Sequence, residues 1–115
     1  MRVIKNPGGT NELYVNQHLT QAQVTTHQKN AEIPGMIAEG KGDVMITDTM
    51  EAKLYAKAHP GKLAVLFAED TLTPKAQKAF FVQADDPEYL RVMQYLWDIT
   101  ELRGERAALY DKWLK

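Results

Sequence analysis

Asn6-Pro7-Gly8-Gly9-Thr10-Asn11-Glu12 is the stretch whose reading decides the fold. It follows an apolar pair, Val3-Ile4, and precedes Leu13, Tyr14, Val15 and Leu19. The order is strand, glycine-rich turn, helix. Gly8 and Gly9 let the backbone come close to a ligand. The unbonded N–H groups of a first helical turn point at whatever lies there, which makes this a predicted anion site. Thr10 and Asn11 add side-chain donors beside those amides. A Pro-Gly-Gly turn followed by threonine also starts ordinary helices. The turn therefore acquires a function only from what the rest of the chain places near it.

Outward from this turn the pattern alternates. Arg2–Lys5 reads as a strand and Thr10–Leu19 as a helix. Gln23–Thr26, rich in β-branched residues, reads as a second strand. Asn30–Glu39 reads as a helix that starts near Ile33, since Pro34 fits only its first turn. Gly40 and Gly42 end it. Asp43-Val44-Met45-Ile46-Thr47 is apolar without alternation, as expected of a strand covered on both faces. Asp48 opens a helix running to Ala58, closed by His59-Pro60-Gly61, and Lys62–Phe67 reads as a fourth strand. A β-α-β-α-β-α-β order implies a parallel sheet with right-handed crossovers. Beyond it, Ala68–Lys75 is polar and turn-rich, Ala79–Val82 reads as a strand, and two helices follow, one started by Asp85-Asp86-Pro87 and one from Glu105 to Leu114, separated by Gly104. The expected domains are residues 1–72, an α/β unit, and 73–115, a strand plus two helices whose apolar density suits docking on something else.

Composition narrows the classes. The chain has 115 residues, a single domain's worth able to bury a core. Its 14 basic and 15 acidic residues leave no basic surplus for nucleic acid or an anionic membrane. Cysteine is absent, which excludes disulfides and thiolate chemistry. No apolar run is long enough to span a bilayer, and no signal peptide precedes Arg2-Val3-Ile4.

Chemistry is expected at the carboxyl ends of the strands, where open α/β sheets bind ligands. Two such ends are distinctive: Gly9-Thr10-Asn11, and Thr47-Asp48-Thr49-Met50-Glu51. If the two strands are neighbours, both turns face one crevice. Two readings of Asp48 and Glu51 stay open. One is a capping box, in which the pair merely starts a helix. In the other, Asp48 holds an ammonium group while Thr10 and the turn amides hold a carboxylate, gripping an α-amino acid or similar zwitterion. Glu51 is then an extra carboxylate that serves as general acid if desolvation raises its pKa. Lys78 stands just before a strand and could line the edge of a cleft. His18, His27 and His59 lack metal-ligand spacing and read as surface or packing residues. No phosphate loop, nucleophile elbow or zinc motif is present, and no metal or cofactor is expected.

These residues resemble a known family. Arg2-Val3-Ile4 with Asn6–Glu12, then Gly42–Asp48 with Glu51-Ala52, then His59-Pro60, are similar to the cyclohexadienyl (prephenate or arogenate) dehydratases. These lie within the type II periplasmic solute-binding proteins, family 3, the amino-acid-binding group. The resemblance implies an α/β fold: a parallel three-layer lobe, here the second of two. The C-terminal strand and helices would normally pack on the first lobe, which has no counterpart in this chain. It implies that Gly9, Thr10 and Asn11 form the carboxylate-binding turn, that Asp48 holds a ligand ammonium, and that Lys78 precedes the strand returning to the first lobe. Glu51 matches the dehydratases' general acid, which protonates the departing ring hydroxyl of prephenate as carbon dioxide leaves. The implied enzyme is a carbon–oxygen lyase, and the implied location is periplasmic. A free chain carrying half of the cleft is expected to be inactive alone. It is also expected to self-associate or swap through Phe80–Leu114. The rival readings are the lobe of an amino-acid-binding protein of a transporter, with Glu51 only capping its helix, and a stand-alone oligomerising domain without ligand.

Overall fold

The structure, a computed structural model, describes residues 1–115. They divide into two compact units, Met1–Ala68 and Glu69–Lys115.

In the first unit β1 (Arg2–Lys5) leads through Asn6–Gly8 into α1 (Gly9–His18), and β2 (Gln23–Thr26) returns parallel to β1. The register pairs Val3 with Val24 and Ile4 with Thr25. A right-handed crossover is the connection such a β-α-β unit favours. A single 3₁₀ turn, Asn30–Glu32, runs into α2 (Ile33–Ala38), with Pro34 in its first turn as anticipated from its missing N–H. Then α3 spans Thr49–Ala58. The core is small: Val3, Ile4, Val15 and Ile33 are buried, with Pro34 beside them, drawn from β1, α1 and α2.

The third expected strand is reduced to one parallel bridge, Val3 to Val44. Asp43 N–H donates to the Arg2 carbonyl at 2.8 Å, and Ile4 N–H donates to the Val44 carbonyl at 3.0 Å. Pairing goes no further along β1, although β1 itself continues to Lys5 against β2. A bidentate ion pair reinforces the junction, with Arg2 Nη2 2.7 Å from Asp43 Oδ1 and the Arg2 backbone N–H 2.7 Å from Asp43 Oδ2. Gly42 is buried at the same place. A Cβ there would stand 2.6 Å from both Cγ1 and Cδ1 of Ile4. The strand expected at Lys62–Phe67 does not form, and Phe67 adopts the left-handed conformation at φ 58°. With only Val44 bridged, the 43–47 stretch offers no ladder edge for a fourth strand to join. Apolar composition marks a stretch as able to be a strand; a hydrogen-bonding neighbour makes it one.

In the second unit α4 (Pro87–Leu102) and α5 (Glu105–Leu114) form a helical hairpin about Gly104, which takes the left-handed conformation such a junction needs. Asp86 caps α4 by accepting from Tyr89 N–H at 2.9 Å. The Arg106 guanidinium lies 4.4 Å over the Trp97 ring and pairs with Glu101, and Phe80 meets Trp97 edge to face. The strand expected at Ala79–Val82 is absent: Phe80 is 79% and Phe81 100% exposed, with no neighbouring strand to pair them.

Candidate functional site

The Val3–Val44 bridge is parallel, so the stretch carrying Asp43–Asp48 runs beside β1 in the same direction. Both polar turns therefore lie at the same edge of the sheet, beyond the carboxyl ends of two adjacent chain segments. The condition set by the sequence, that the two stretches be neighbours, is met by a single residue pair. His27 joins this edge as well. It follows β2 directly, and its N–H donates to the Lys5 carbonyl at 2.8 Å.

The first turn is built on two glycines with positive φ, Gly8 at 85° and Gly9 at 79°, which other residues reach only with strain. Thr10 is exposed and Asn11 half-buried. Glu12 folds back on the turn, its Oε2 accepting from Gly8 N–H at 2.6 Å. Its Oε1 accepts from Lys5 Nζ at 2.7 Å, and Lys5 donates in addition to Asn16 Oδ1 at 2.8 Å. The Lys5 ammonium, and after it the Gly8 N–H, lower the Glu12 pKa below its ordinary value. In the sequence, Glu12 belongs to the turn motif without a role of its own; its one local signal is Asn16 four residues on along the same helix, which with it receives the Lys5 ammonium.

At the second turn Asp48 occupies the N-cap of α3 in extended conformation but forms no side-chain cap bond. The Glu51 carboxylate accepts from the Thr47 hydroxyl. The Asp48 half of the expected capping box is thus not formed, and Glu51 is tied to the residue that ends the 43–47 stretch. Tyr55, one helical turn beyond Glu51, has its hydroxyl pKa raised by burial first and by the Glu51 charge second. Glu51 and Asp48 are both half-buried.

Lys78 belongs to the second unit and lies in an irregular, exposed stretch without the strand expected after it. His27 Nε2 lies within hydrogen-bonding distance of Glu32 Oε2 at 2.8 Å, and Lys29 Nζ pairs with Glu32 Oε1 at 3.1 Å. Hydrogen bonds from His27 first and Lys29 second lower the Glu32 pKa. The reading of His27 from spacing alone could not see that its strand ends beside Lys5. A shallow hollow of about 410 Å³, lined by Met1, His18, Leu19 and Thr20–Ala22, lies at the opposite, amino end of β1, away from both turns.

Parallel strands with crossover helices and polar turns at their carboxyl ends define an α/β lobe of the periplasmic-binding-protein fold, and solved structures agree. A crystal structure of an ancestral cyclohexadienyl dehydratase matches with a TM-score of 0.56 and 42% identity, over 98% of this chain and 46% of that one. The cyclohexadienyl dehydratase of Pseudomonas aeruginosa is 34% identical over 112 residues, which is 97% of this chain and 41% of that protein. No family profile matches the chain. Over nearly its whole length the chain is similar to a part of these cyclohexadienyl dehydratases. It spans less than half the length of the relatives it matches.

Proposed function

We propose that the chain is the second, C-terminal lobe of a cyclohexadienyl-dehydratase-like protein, contributing one wall of a prephenate or arogenate cleft. The observation that carries this reading is the parallel Val3–Val44 bridge, which sets the Gly9-Thr10-Asn11 turn and the Asp48–Glu51 turn at one edge. In this reading the turn amides, Thr10 and Asn11 take a substrate carboxylate, and Asp48 takes the ammonium of arogenate. Glu51 is the general acid. The bond from ring carbon to carboxylate breaks and its electron pair enters the ring. The ring C–O bond then breaks toward oxygen, and the Glu51 proton completes a water molecule. Aromatisation supplies the driving force, so one well-placed acid suffices. The Thr47 hydroxyl, bonded to Glu51, fixes the orientation of that acid. Lys78, on the return segment of residues 73–115, is in this reading a further substrate-binding residue of the whole protein. A periplasmic location follows from the same kinship.

One wall alone orients substrate poorly and admits water, so the isolated chain should bind weakly and turn over little. The exposed Phe80, Phe81, Tyr95 and Leu96 of the second unit support a covering partner for it, either the remainder of the fold or a second copy. Sedimentation of the isolated chain checks this: a monomer at all concentrations, binding no apolar dye, overturns it.

The functional test is a chimera in which this chain replaces the matching segment of the Pseudomonas aeruginosa dehydratase. Prephenate turnover should be restored. Glu51→Gln should lower kcat by about 10²-fold or more, the usual worth of a positioned general acid, with substrate binding largely kept. Unchanged turnover in the Gln variant removes Glu51 from the acid role. Amino-acid binding without any turnover would favour a transport lobe instead.

A further inference from the structure

We infer that Glu12, held by a Lys5 that Asn16 anchors, is the positioning residue of the anion turn, and that Lys5 neutralises it so that the turn still attracts a carboxylate. The inference rests on the carboxylate-binding role proposed above for Gly9–Asn11.

The geometry joins three elements. Lys5 is the last residue of β1, while Glu12 and Asn16 stand one turn apart on α1. Lys5 Nζ bridges them at 2.7 and 2.8 Å, and Glu12 Oε2 reaches back over the turn to Gly8 N–H at 2.6 Å. The Lys5 side chain is only 11% exposed, so this ammonium is committed to the pair. Strand end, glycine turn and helix start are therefore triangulated by one ion pair.

Two consequences follow. Glu12 uses the Gly8 donor and fixes a turn whose glycines have no side chains to restrict them. That leaves the amides after Gly8, with the Thr10 and Asn11 side chains, as the donors presented to a ligand. The arrangement also carries a penalty if disturbed. Glu12 puts a full negative charge beside a site meant for an anion, and charges this close interact appreciably even near the surface. With Lys5 in place the pair is neutral. Without it, the carboxylate faces the ligand carboxylate uncompensated.

The test is amide NMR of the isolated chain with prephenate as probe, raised to concentrations at which the weak binding of a single wall is visible, for wild type, Glu12→Gln, Lys5→Met and the double variant. The Ile4 amide, which donates to Val44, reports that each variant is folded. Without ligand, the Gly8 amide should titrate in wild type with a midpoint below the ordinary glutamate range, and Glu12→Gln should abolish that movement. With prephenate, the Thr10 and Asn11 amides should shift. Lys5→Met should weaken binding by about tenfold, and adding Glu12→Gln to it should restore affinity to within about threefold of the Glu12→Gln single variant. A purely structural role gives no such rescue. A Gly8 amide that does not titrate, or a double variant no better than Lys5→Met, overturns the inference. Absence of any prephenate shift in wild type, with Gly8 still titrating, overturns the carboxylate-site reading on which it rests.

Discussion

Gly42→Ala tests the junction on which the site depends. The Cβ would sit 2.6 Å from both Cγ1 and Cδ1 of Ile4, a side chain only 2% exposed, and 3.8 Å from the Arg2 carbonyl oxygen. Cδ1 could swing aside, but Cγ1 is fixed by a β-branched residue with few χ1 choices. Overpacking of this kind costs about 1–3 kcal/mol, offset by about 0.4–1 kcal/mol from the stiffer unfolded chain. The net loss should be about 1–2 kcal/mol, a drop in midpoint of about 1 M in urea with the slope unchanged. Both tryptophans lie in the second unit, so fluorescence does not report on this change. Protection of the Ile4 amide, which bonds Val44 across the affected junction, does report on it. Ile4→Val removes Cδ1 and should recover part of the loss when combined with Gly42→Ala, although alone it costs about 0.5–1.5 kcal/mol. A Gly42→Ala protein as stable as wild type, with undiminished Ile4 protection, would mean that the chain does not pass this close to β1. The two turns would then no longer share an edge.

Three further outcomes are expected. Hydrogen bonds from the Arg2 side chain and backbone hold the Asp43 carboxyl down from 3.8 to about 2. The folded value lies below the unfolded one, so this stabilisation is complete above about pH 4 and lost as pH falls through about 2; Asp43→Asn should flatten that acid limb, and an unaltered limb counts against the pair. Asp86→Ala removes the cap on Tyr89 N–H and should cost α4 about 1 kcal/mol, seen as earlier loss of helical circular dichroism in urea. In a Trp113→Phe background, Arg106→Ala should shift Trp97 emission to longer wavelength and lower stability by about 0.5–1 kcal/mol, because the guanidinium covers the indole; emission that stays put would show that it does not.

The parts of the fold legible in the sequence were those set by local rules. The Gly8-Gly9 turn, the helix after it, the strand at Gln23–Thr26, Pro34 in a first turn, the helix start at Asp85-Asp86-Pro87 and the Gly104 break each follow from the conformational preferences of a few adjacent residues. The strands at 43–47, 62–67 and 79–82 were read from apolar composition, and there the reading outran what formed. Composition cannot supply a partner, and a strand without one exposes its N–H and C=O groups to water instead of a ladder.

The candidate site divides along the same line. Residue types at the turn, and the Asp48–Glu51 spacing, could be named from the sequence because helix starts have local signatures. That Asp48 makes no side-chain cap bond, that Glu51 takes the Thr47 hydroxyl, and that Glu12 turns back to Gly8 under Lys5 could not. Each depends on which segment lies beside β1. The sequence by itself determined the chemical character of two turns and the helices behind them, through backbone preference and side-chain type. Only the tertiary structure decided that Val44 lies against Val3 and so brings those turns to one edge. Pairing between distant segments is set by which hydrogen-bonding edge and which buried neighbours are free to receive them.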